Sequence, residues 1–427
     1  MTSASTSTTA NSTVAYAFEK HALYSEFLVV KNKLSETGFV CWVAGGAVRD
    51  FLIGRPVADF DLVTDATTEQ IMQIFPDALT VGASFGVVKL VLKDKSIFDL
   101  ATFRRESDYV DGRRPSHVDF ATPEEDAGRR DFTVNALFWD DQKKQVVDFV
   151  QGLNDIDGKF LKCVGDADVR FQEDHLRILR LLRFSIQFGF SCDQKTLSAA
   201  LTRVPLLKKI SGERIWAEFK KMIPFVKWND FFQQPLASQI FDFIFGTAER
   251  KNLESGRQFP DFFKLENAHG LKSDAFQRFF LVLMTTYVRS NRVEGDKSMK
   301  TLKQILKDRL KIGADDLKVF DALVFAYQNR EHKLAYPQWA VEMEKSPLIG
   351  DSLQFLEKIE LFDSDLLKRL MQTKVYPPVK LVDGNDLLGV VEKEKIGDYL
   401  KKIRLLQFEQ PGLSKSELLK NLGIDKK

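Results

Sequence analysis

Val43-Ala44-Gly45-Gly46-Ala47-Val48-Arg49-Asp50, followed past Gly54 by Asp59-Phe60-Asp61-Leu62-Val63-Thr64, decides how the rest of this chain is read. The leading apolar residues suit a strand, two glycines follow, and a helical pattern starts at once. Paired glycines between strand and helix let the backbone approach a ligand, and a helix start presents free N–H groups to an anion. Asp59 and Asp61 stand two apart in a segment of strand character. Alternation puts both carboxylates on one face and turns Phe60 into the core. Gly45 and Gly46 at the helix start then read as a phosphate cradle. Asp59 and Asp61 read as ligands for two divalent ions, the arrangement that in-line nucleotidyl transfer requires. Either half alone is as common in plain turns and exposed loops; the two in this order favour chemistry.

The chain has 427 residues, too many for one core, so two to four domains are expected. With 44% hydrophobic and 29% charged residues and a net charge of +2, it has an ordinary balance, and any nucleic-acid contact must come from local basic patches. Cys41, Cys163 and Cys192 show no metal spacing and fit a reducing compartment. Residues 1–13 are rich in Ser and Thr and read as a disordered tail, not a signal peptide. The longest apolar run, around 279–284, is too short to span a bilayer. A cytoplasmic monomer is the resulting expectation.

Outward from the opening motif, the pattern predicts a helix over 16–36, a short helix over 69–75, and strands over 79–81, 86–92 and 97–103. Residues 104–126 are polar and read as a long mobile loop. A helix-like stretch follows over 129–139, then a strand over 146–149. Beyond about 159, strand signals almost vanish and helix follows helix. The fold class is therefore α+β: a small mixed-sheet head followed by all-α segments.

Asp99, between Phe98 and Leu100, reads as a third catalytic carboxylate beside Asp59 and Asp61, or equally as an edge-strand Asp facing water. Arg129-Arg130-Asp131 offers paired donors for phosphate oxygens and an acceptor for a ribose hydroxyl, or a plain ion pair at a helix start. In Glu173-Asp174-His175-Leu176-Arg177-Ile178-Leu179-Arg180, Asp174 and Arg177 are three apart on one helical face. The ordinary reading is an intrahelical ion pair. The sharper one is a base reader. A fixed carboxylate beside a fixed guanidinium matches the amino donor and ring-nitrogen acceptor of cytosine and adenine, and rejects uracil and guanine. Ser211 reads as the N-cap of a structural helix. Lys300, Lys303, Lys307 and Arg309 lie opposite Leu302, Ile305, Leu306 and Leu310, as a solvated face or a track for an RNA backbone; Lys401, Lys402 and Arg404 are a weaker version. The five histidines show no metal spacing and no His-Asp dipeptide, which disfavours an appended metal phosphohydrolase domain.

These motifs together resemble the class II tRNA nucleotidyltransferases, the family of CCA-adding enzymes and bacterial poly(A) polymerases. The resemblance is strong over about 39–222 and loose beyond. It implies a polymerase-β-like head over 14–160, a helical neck over 161–226 that recognises the base, a body over 227–348 and a tRNA-binding tail over 349–427. It implies that Asp59 and Asp61 bind two Mg2+ ions while an RNA 3′ hydroxyl attacks the α-phosphate of CTP or ATP. Gly45, Gly46, Arg49, Arg129, Arg130, Asp131, Asn135, Asp174, Arg177 and Arg180 would then bind nucleotide. Asp174 and Arg177 would act as the protein template. A mobile loop over 104–119 would help to switch from C to A, and its presence speaks against an enzyme that adds only CC. The acceptor stem and elbow of tRNA are the implied partner. Asp148-Phe149 stands where the family usually has Asp-Pro, and 391–395 replaces a usual glycine-proline in the tail. The rivals are a poly(A) polymerase on the same fold, a CC-adding specialist, and a non-catalytic RNA-binding module, which would lack the carboxylates.

Overall fold

The computed structural model of the chain describes residues 3–79, 86–92, 94–109, 115–245, 279–280, 282–283, 296–329, 336–358, 364–375 and 380–424. Most of the expected 79–81 strand, Lys93 of the expected turn between the next two strands, and the tip of the 104–119 loop lie outside them.

Two helices, α1 (Ser3–Lys20) and α2 (Tyr24–Glu36), stand where one helix over 16–36 is expected. The segment read as a disordered tail is helical from Ser3 onward. The Asn11 Oδ1 accepts from the Val146 N–H at 2.7 Å, a tertiary partner that composition does not advertise. β1 (Cys41–Ala44) leads into α3 (Gly46–Leu52), β2 (Asp61–Thr64) and α4 (Thr68–Ile74), whose start carries a Thr67/Gln70 capping box. Next come β3 (Val87–Val91) and β4 (Ile97–Thr102). The expected mobile loop is instead regular backbone: β5 (Arg104–Tyr109) pairs antiparallel with β6 (Pro115–Phe120), and α5 (Pro123–Gly128) follows. The helix expected over 129–139 is a 3-10 turn, Thr133–Asn135, running into β7 (Leu137–Asp140). Phe132, Val134, Ala136, Leu137, Phe138 and Trp139 are all fully buried, and a run buried on every side carries no helical period to read. β8 (Gln145–Asp148) and α6 (Gly152–Asp157) complete the head. Without the usual proline after it, Asp148 holds the turn itself. Its carboxylate accepts from the N–H groups of Val150, Gly152 and Leu153 at 2.9–3.0 Å.

The six-stranded sheet has the order β3-β4-β2-β1-β7-β8, with only β2 and β4 parallel. One face packs Phe18, Phe27, Phe51, Phe60 and Trp139, with Phe18 within 4.6–6.3 Å of each of the other four rings. Each fully buried ring stabilises the fold by roughly 2–3 kcal/mol. The other face packs Ala44, Val63, Phe103, Ala136 and Phe138. The sheet is thus pinned from both sides, and the ends of β1 and β2 are fixed where the site forms.

Beyond the six-stranded sheet come β9 (Phe160–Leu161), α7 (Ala167–Glu173), α8 (Leu176–Phe188), β10 (Ser191–Cys192), α9 (Gln194–Arg203) and α10 (Gly212–Met222). α8 stops at Gly189, whose φ of +68° closes the helix in the left-handed conformation. Ser211 stands at the N-cap position of α10, but its side chain makes no capping bond.

The chain divides into two compact units, Met1–Val226 with Gln233–Phe243, and Lys227–Phe232 with Ile244–Lys427. In the second unit the described residues form helices that include Asp296–Asp308, Ala314–Gln328, Pro347–Lys358 and Ile396–Glu409, and no strand. The architecture is α+β, with the sheet confined to the first unit among the described residues. No helix of the described residues is long and apolar enough to cross a membrane.

Candidate active site

Gly45 caps α3 with φ +66° and donates its N–H to the Leu137 carbonyl at 2.8 Å. A Cβ there would meet Arg130 Nη1 at 2.9 Å and the Asn135 carbonyl at 3.1 Å, so only glycine lets the β1–α3 turn sit this close to the 3-10 turn. Gly45 and Gly46 line a cleft of about 640 Å³, together with Asp59, Asp61 and the arginines of α8. Every residue lining it belongs to the first compact unit.

Asp61 is the first residue of β2, and Asp59 lies just before it, outside the strand. Phe60 between them is 1% exposed, while both aspartates are exposed toward the cleft, as alternation requires. Among the described residues no side-chain hydrogen bond or ion pair reaches either carboxylate. Partial burial, then the charge of Asp59 and to a smaller extent that of Asp99, push the Asp61 carboxyl above its ordinary range, against the pull of Arg130. Unpaired carboxylates crowding one another are a donor set that a divalent cation satisfies. Asp99 is opposite Asp61 in the β2–β4 register, but it is bound to Lys89 at 2.5 Å. No group of three His, Cys, Asp or Glu side chains converges on a metal-sized point among the described residues. The chain therefore offers two carboxylates, which fits Mg2+, an ion that keeps waters and takes the rest of its shell from phosphate.

Arg130 and Asp131 do not pair with each other. Asp126, 0% exposed, accepts Arg129 Nε and Nη2 on one oxygen at 2.9 and 2.7 Å. Its other oxygen accepts Arg130 Nε and Nη2 at 3.1 and 2.9 Å. The Arg104 N–H adds a fifth donor at 3.2 Å. Asp131 instead receives Arg180 Nε at 2.7 Å, Asn135 Nδ2 at 3.0 Å and its neighbour's N–H at 2.8 Å. Asn135 passes the chain of bonds on by accepting from Arg49. Arg49, buried at 7% exposure, also holds Asp50 and lies 4.5 Å above the Phe188 ring.

Burial alone would raise Asp131, but Arg180, the Asn135 amide and Arg177 hold it down at about 2. A carboxyl depressed in the folded state stabilises that state fully above the ordinary value near 3.9, and this contribution is lost as pH falls toward the folded value. Asp131→Asn should therefore melt below the wild type at neutral pH by the equivalent of roughly 2 kcal/mol, with the gap closing as pH falls below about 4. Thermal melts of both proteins between pH 7 and 3 check this, and a gap that stays constant would refute it.

Asp174 is not on the same helix as Arg177. It caps the C-terminus of α7 at φ −135° and ψ 105°, and α8 begins only at Leu176. No intrahelical pair forms. Asp174 accepts the Leu176 N–H at 3.1 Å and faces Arg214 Nη2 at 3.5 Å. Arg177 is held by Glu173 at 2.8 Å, by the Arg170 carbonyl at 3.2 Å and by the Arg129 carbonyl at 2.8 Å. Both nonetheless line the cleft. The break brings a carboxylate and a guanidinium to one opening by tertiary anchoring.

Sequence reasoning missed Asp126, Arg183 and Arg214. Asp126 had a signal in Thr122-Pro123-Glu124-Glu125, a capping box with proline at the first helical position. Arg183 continues the three-residue spacing of Arg177 and Arg180 and forms a buried pair with Glu218 of α10 at 2.6 Å. Arg214 came with the helix read as structural; its Nη1 is enclosed beside the site with no partner.

The proposed RNA contacts lie in the second unit. Lys300, Lys307 and Arg309 are exposed, while Leu302, Leu306 and Leu310 are fully buried. Lys303 is tied to Asp321 at 2.6 Å. Arg404 is buried and bonded to Gln407 at 2.7 Å, so it is no surface cation. The thiols of Cys41, Cys163 and Cys192 are free, and burial pushes each up to about 12, away from thiolate chemistry.

Comparison with known proteins gives the site its setting. Residues 41–162 match the poly A polymerase head domain, and residues 189–250 match a probable RNA and SrmB binding site of polymerase A. The CCA-adding enzyme of Streptococcus mutans is 42% identical over 222 residues, 52% of this chain and 55% of its own length. That of Streptococcus pyogenes is 40% identical over 229 residues, 53% and 56% respectively. The chain thus spans about half the length of the curated relatives it matches. In fold, the crystal structure of the Bacillus stearothermophilus CCA-adding enzyme in complex with CTP matches with a TM-score of 0.72 at 23% identity, covering 94% of this chain and 98% of that one. Residues 41–162 thus match a poly A polymerase head domain, and about half of the chain is similar in sequence to CCA-adding enzymes.

Proposed function

We propose that the chain is a template-independent nucleotidyltransferase that adds or repairs the 3′-terminal CCA of tRNA from CTP and ATP. The observation that carries the reading is one cleft holding a tight glycine turn, two unpaired carboxylates and a set of anchored arginines. Mg2+ held by Asp59 and Asp61 would supply charge neutralisation at the attacking and leaving oxygens. Arg49, Arg129, Arg130 and Arg180 are each held on a carboxylate, so their remaining donors are set in place before phosphate arrives. The Bacillus stearothermophilus relative was crystallised with CTP, which suits a pyrimidine in this cleft. The exposed Lys300, Lys307 and Arg309 are the proposed backbone contacts for tRNA.

Asp174 and Arg177 are the proposed base readers. Arg177→Ala should lose discrimination of CTP and ATP against UTP and GTP by about 10-fold or more, equivalent to roughly 1–3 kcal/mol. Single-turnover incorporation of the four nucleotides measures it, and unchanged fidelity would remove the pair from that role.

The head-domain match carries the poly A polymerase name, which favours one alternative, ATP-only tailing. An addition assay on tRNA lacking its CCA end separates the two. Two Cs from CTP and one A from the mixture establish CCA addition. Long A tails from ATP alone establish tailing.

A further inference from the structure

We propose that His21, at the junction of the two N-terminal helices, is a positioning residue for the carboxylates of Asp59 and Asp61. This rests on the reading of those two as metal ligands.

Residues 55–60, which deliver Asp59 to the cleft, have no regular secondary structure. Their start is anchored by the Arg55 N–H on the Asp50 carbonyl at 2.8 Å and by the Arg55 side chain on the Gln187 carbonyl at 3.0 Å. Their end is β2. Between these anchors the hydrogen bond described to the segment's backbone comes from His21, whose Nε2 lies 3.1 Å from the Val57 carbonyl. Its Nδ1 accepts the Leu23 N–H at 3.2 Å. With Nδ1 accepting, the proton belongs on Nε2, where it donates to Val57. The ring also lies 4.7 Å from Phe60 and meets Phe51 edge-on at 5.8 Å. Phe60 is the side chain between the two aspartates. The histidine thus holds the backbone two residues before Asp59 and the side chain that sets which way both carboxylates face. A packing residue would need neither ring nitrogen engaged. Here both are used, one within the helix junction and one on the loop, so the ring is a brace from the N-terminal helices to the carboxylate-bearing segment.

The test uses the full chain and Mn2+ as the probe, its binding read by electron paramagnetic resonance. His21→Ala should weaken Mn2+ binding about tenfold, the lower end for residues that orient ligands without touching metal. In nucleotide addition kcat should fall by a similar factor, with KM for tRNA within about twofold. His21→Gln, which keeps a donor for Val57, should recover most of both. Wild-type Mn2+ affinity in His21→Ala overturns the proposal. So does a loss that follows the unfolded fraction of the same sample and is not recovered by glutamine. Asp59→Asn with Asp61→Asn should abolish Mn2+ binding; if it does not, the metal reading fails and the brace with it. Inactivity of the wild-type protein on tRNA would count against the proposed substrate alone, and the Mn2+ comparison would still decide the role of His21.

Discussion

Asp61→Asn should lower nucleotide incorporation by about a thousandfold or more while leaving the fold at least as stable as the wild type. The two effects have one cause. In the absence of a cation, Asp61 sits near Asp59 and Asp99 with no paired partner, and partial burial adds to the repulsion, so its carboxyl lies above the ordinary range. Removing that charge relieves the folded state and leaves the shape unchanged. The same removal takes away one of the two carboxylates offered to Mg2+. Losing metal stabilisation of several kcal/mol at the transition state corresponds to about three or more powers of ten in rate. Added Mg2+ should raise the melting temperature of the wild type and leave Asp61→Asn nearly unmoved, since only a ligand bound to the folded state shifts its stability. Incorporation of labelled CMP into tRNA lacking CCA, together with melts at several Mg2+ concentrations, tests both halves. A variant with activity within tenfold of wild type would sink the metal assignment.

The parts of this site that could be read from sequence are those whose chemistry is local. Gly45 and Gly46 announce a tight turn, and at Gly45 only glycine takes φ +66° this close to Arg130. Asp59-Phe60-Asp61 announces itself by alternation, and Phe60 is buried as alternation demands. What was not legible depends on partners far along the chain. Asp174 and Arg177 read as one helical face, yet the helix breaks at Asp174 without a glycine or proline, and Arg177 is fixed by a carbonyl 48 residues away. The 104–120 segment read as a loop because strands with polar residues at most positions show no apolar alternation, while the β5–β6 pairing that makes them strands is supplied by the partner strand. Arg129-Arg130-Asp131 read as a self-contained charge cluster. In the fold its arginines turn back to Asp126 and its aspartate reaches forward to Arg180. Adjacent residues pointing to opposite partners leave no trace in spacing.

Asp126 is where that distinction has its largest consequence. Its carboxylate is 0% exposed and takes donors from Arg129, Arg130 and the Arg104 backbone. Burial opposes its ionisation, and Arg130 and then Arg129 more than offset that, holding the carboxyl below its usual range. Its contribution to stability is therefore present at neutral pH and lost in acid. Asp126→Asn keeps the volume, but it removes the negative charge and turns an amide donor toward a guanidinium. Two mostly buried arginines are then left uncompensated, and breaking such a network by deleting one partner costs about 3–5 kcal/mol. The variant should melt well below the wild type, and far below Asp61→Asn, although Asp126 does not line the cleft and Asp61 does. Wherever it remains folded, its KM for CTP should rise about tenfold or more, because both arginines at the cleft lose the bonds that aim them. Arg129→Lys separates aiming from mere charge. An ammonium is a point donor that cannot span Asp126 and the Arg104 carbonyl as the guanidinium does, so nucleotide affinity should fall while stability falls less. Urea unfolding and nucleotide titration of the three proteins measure this. If Asp126→Asn melts within a degree or two of the wild type, Asp126 is not the support on which the two arginines stand.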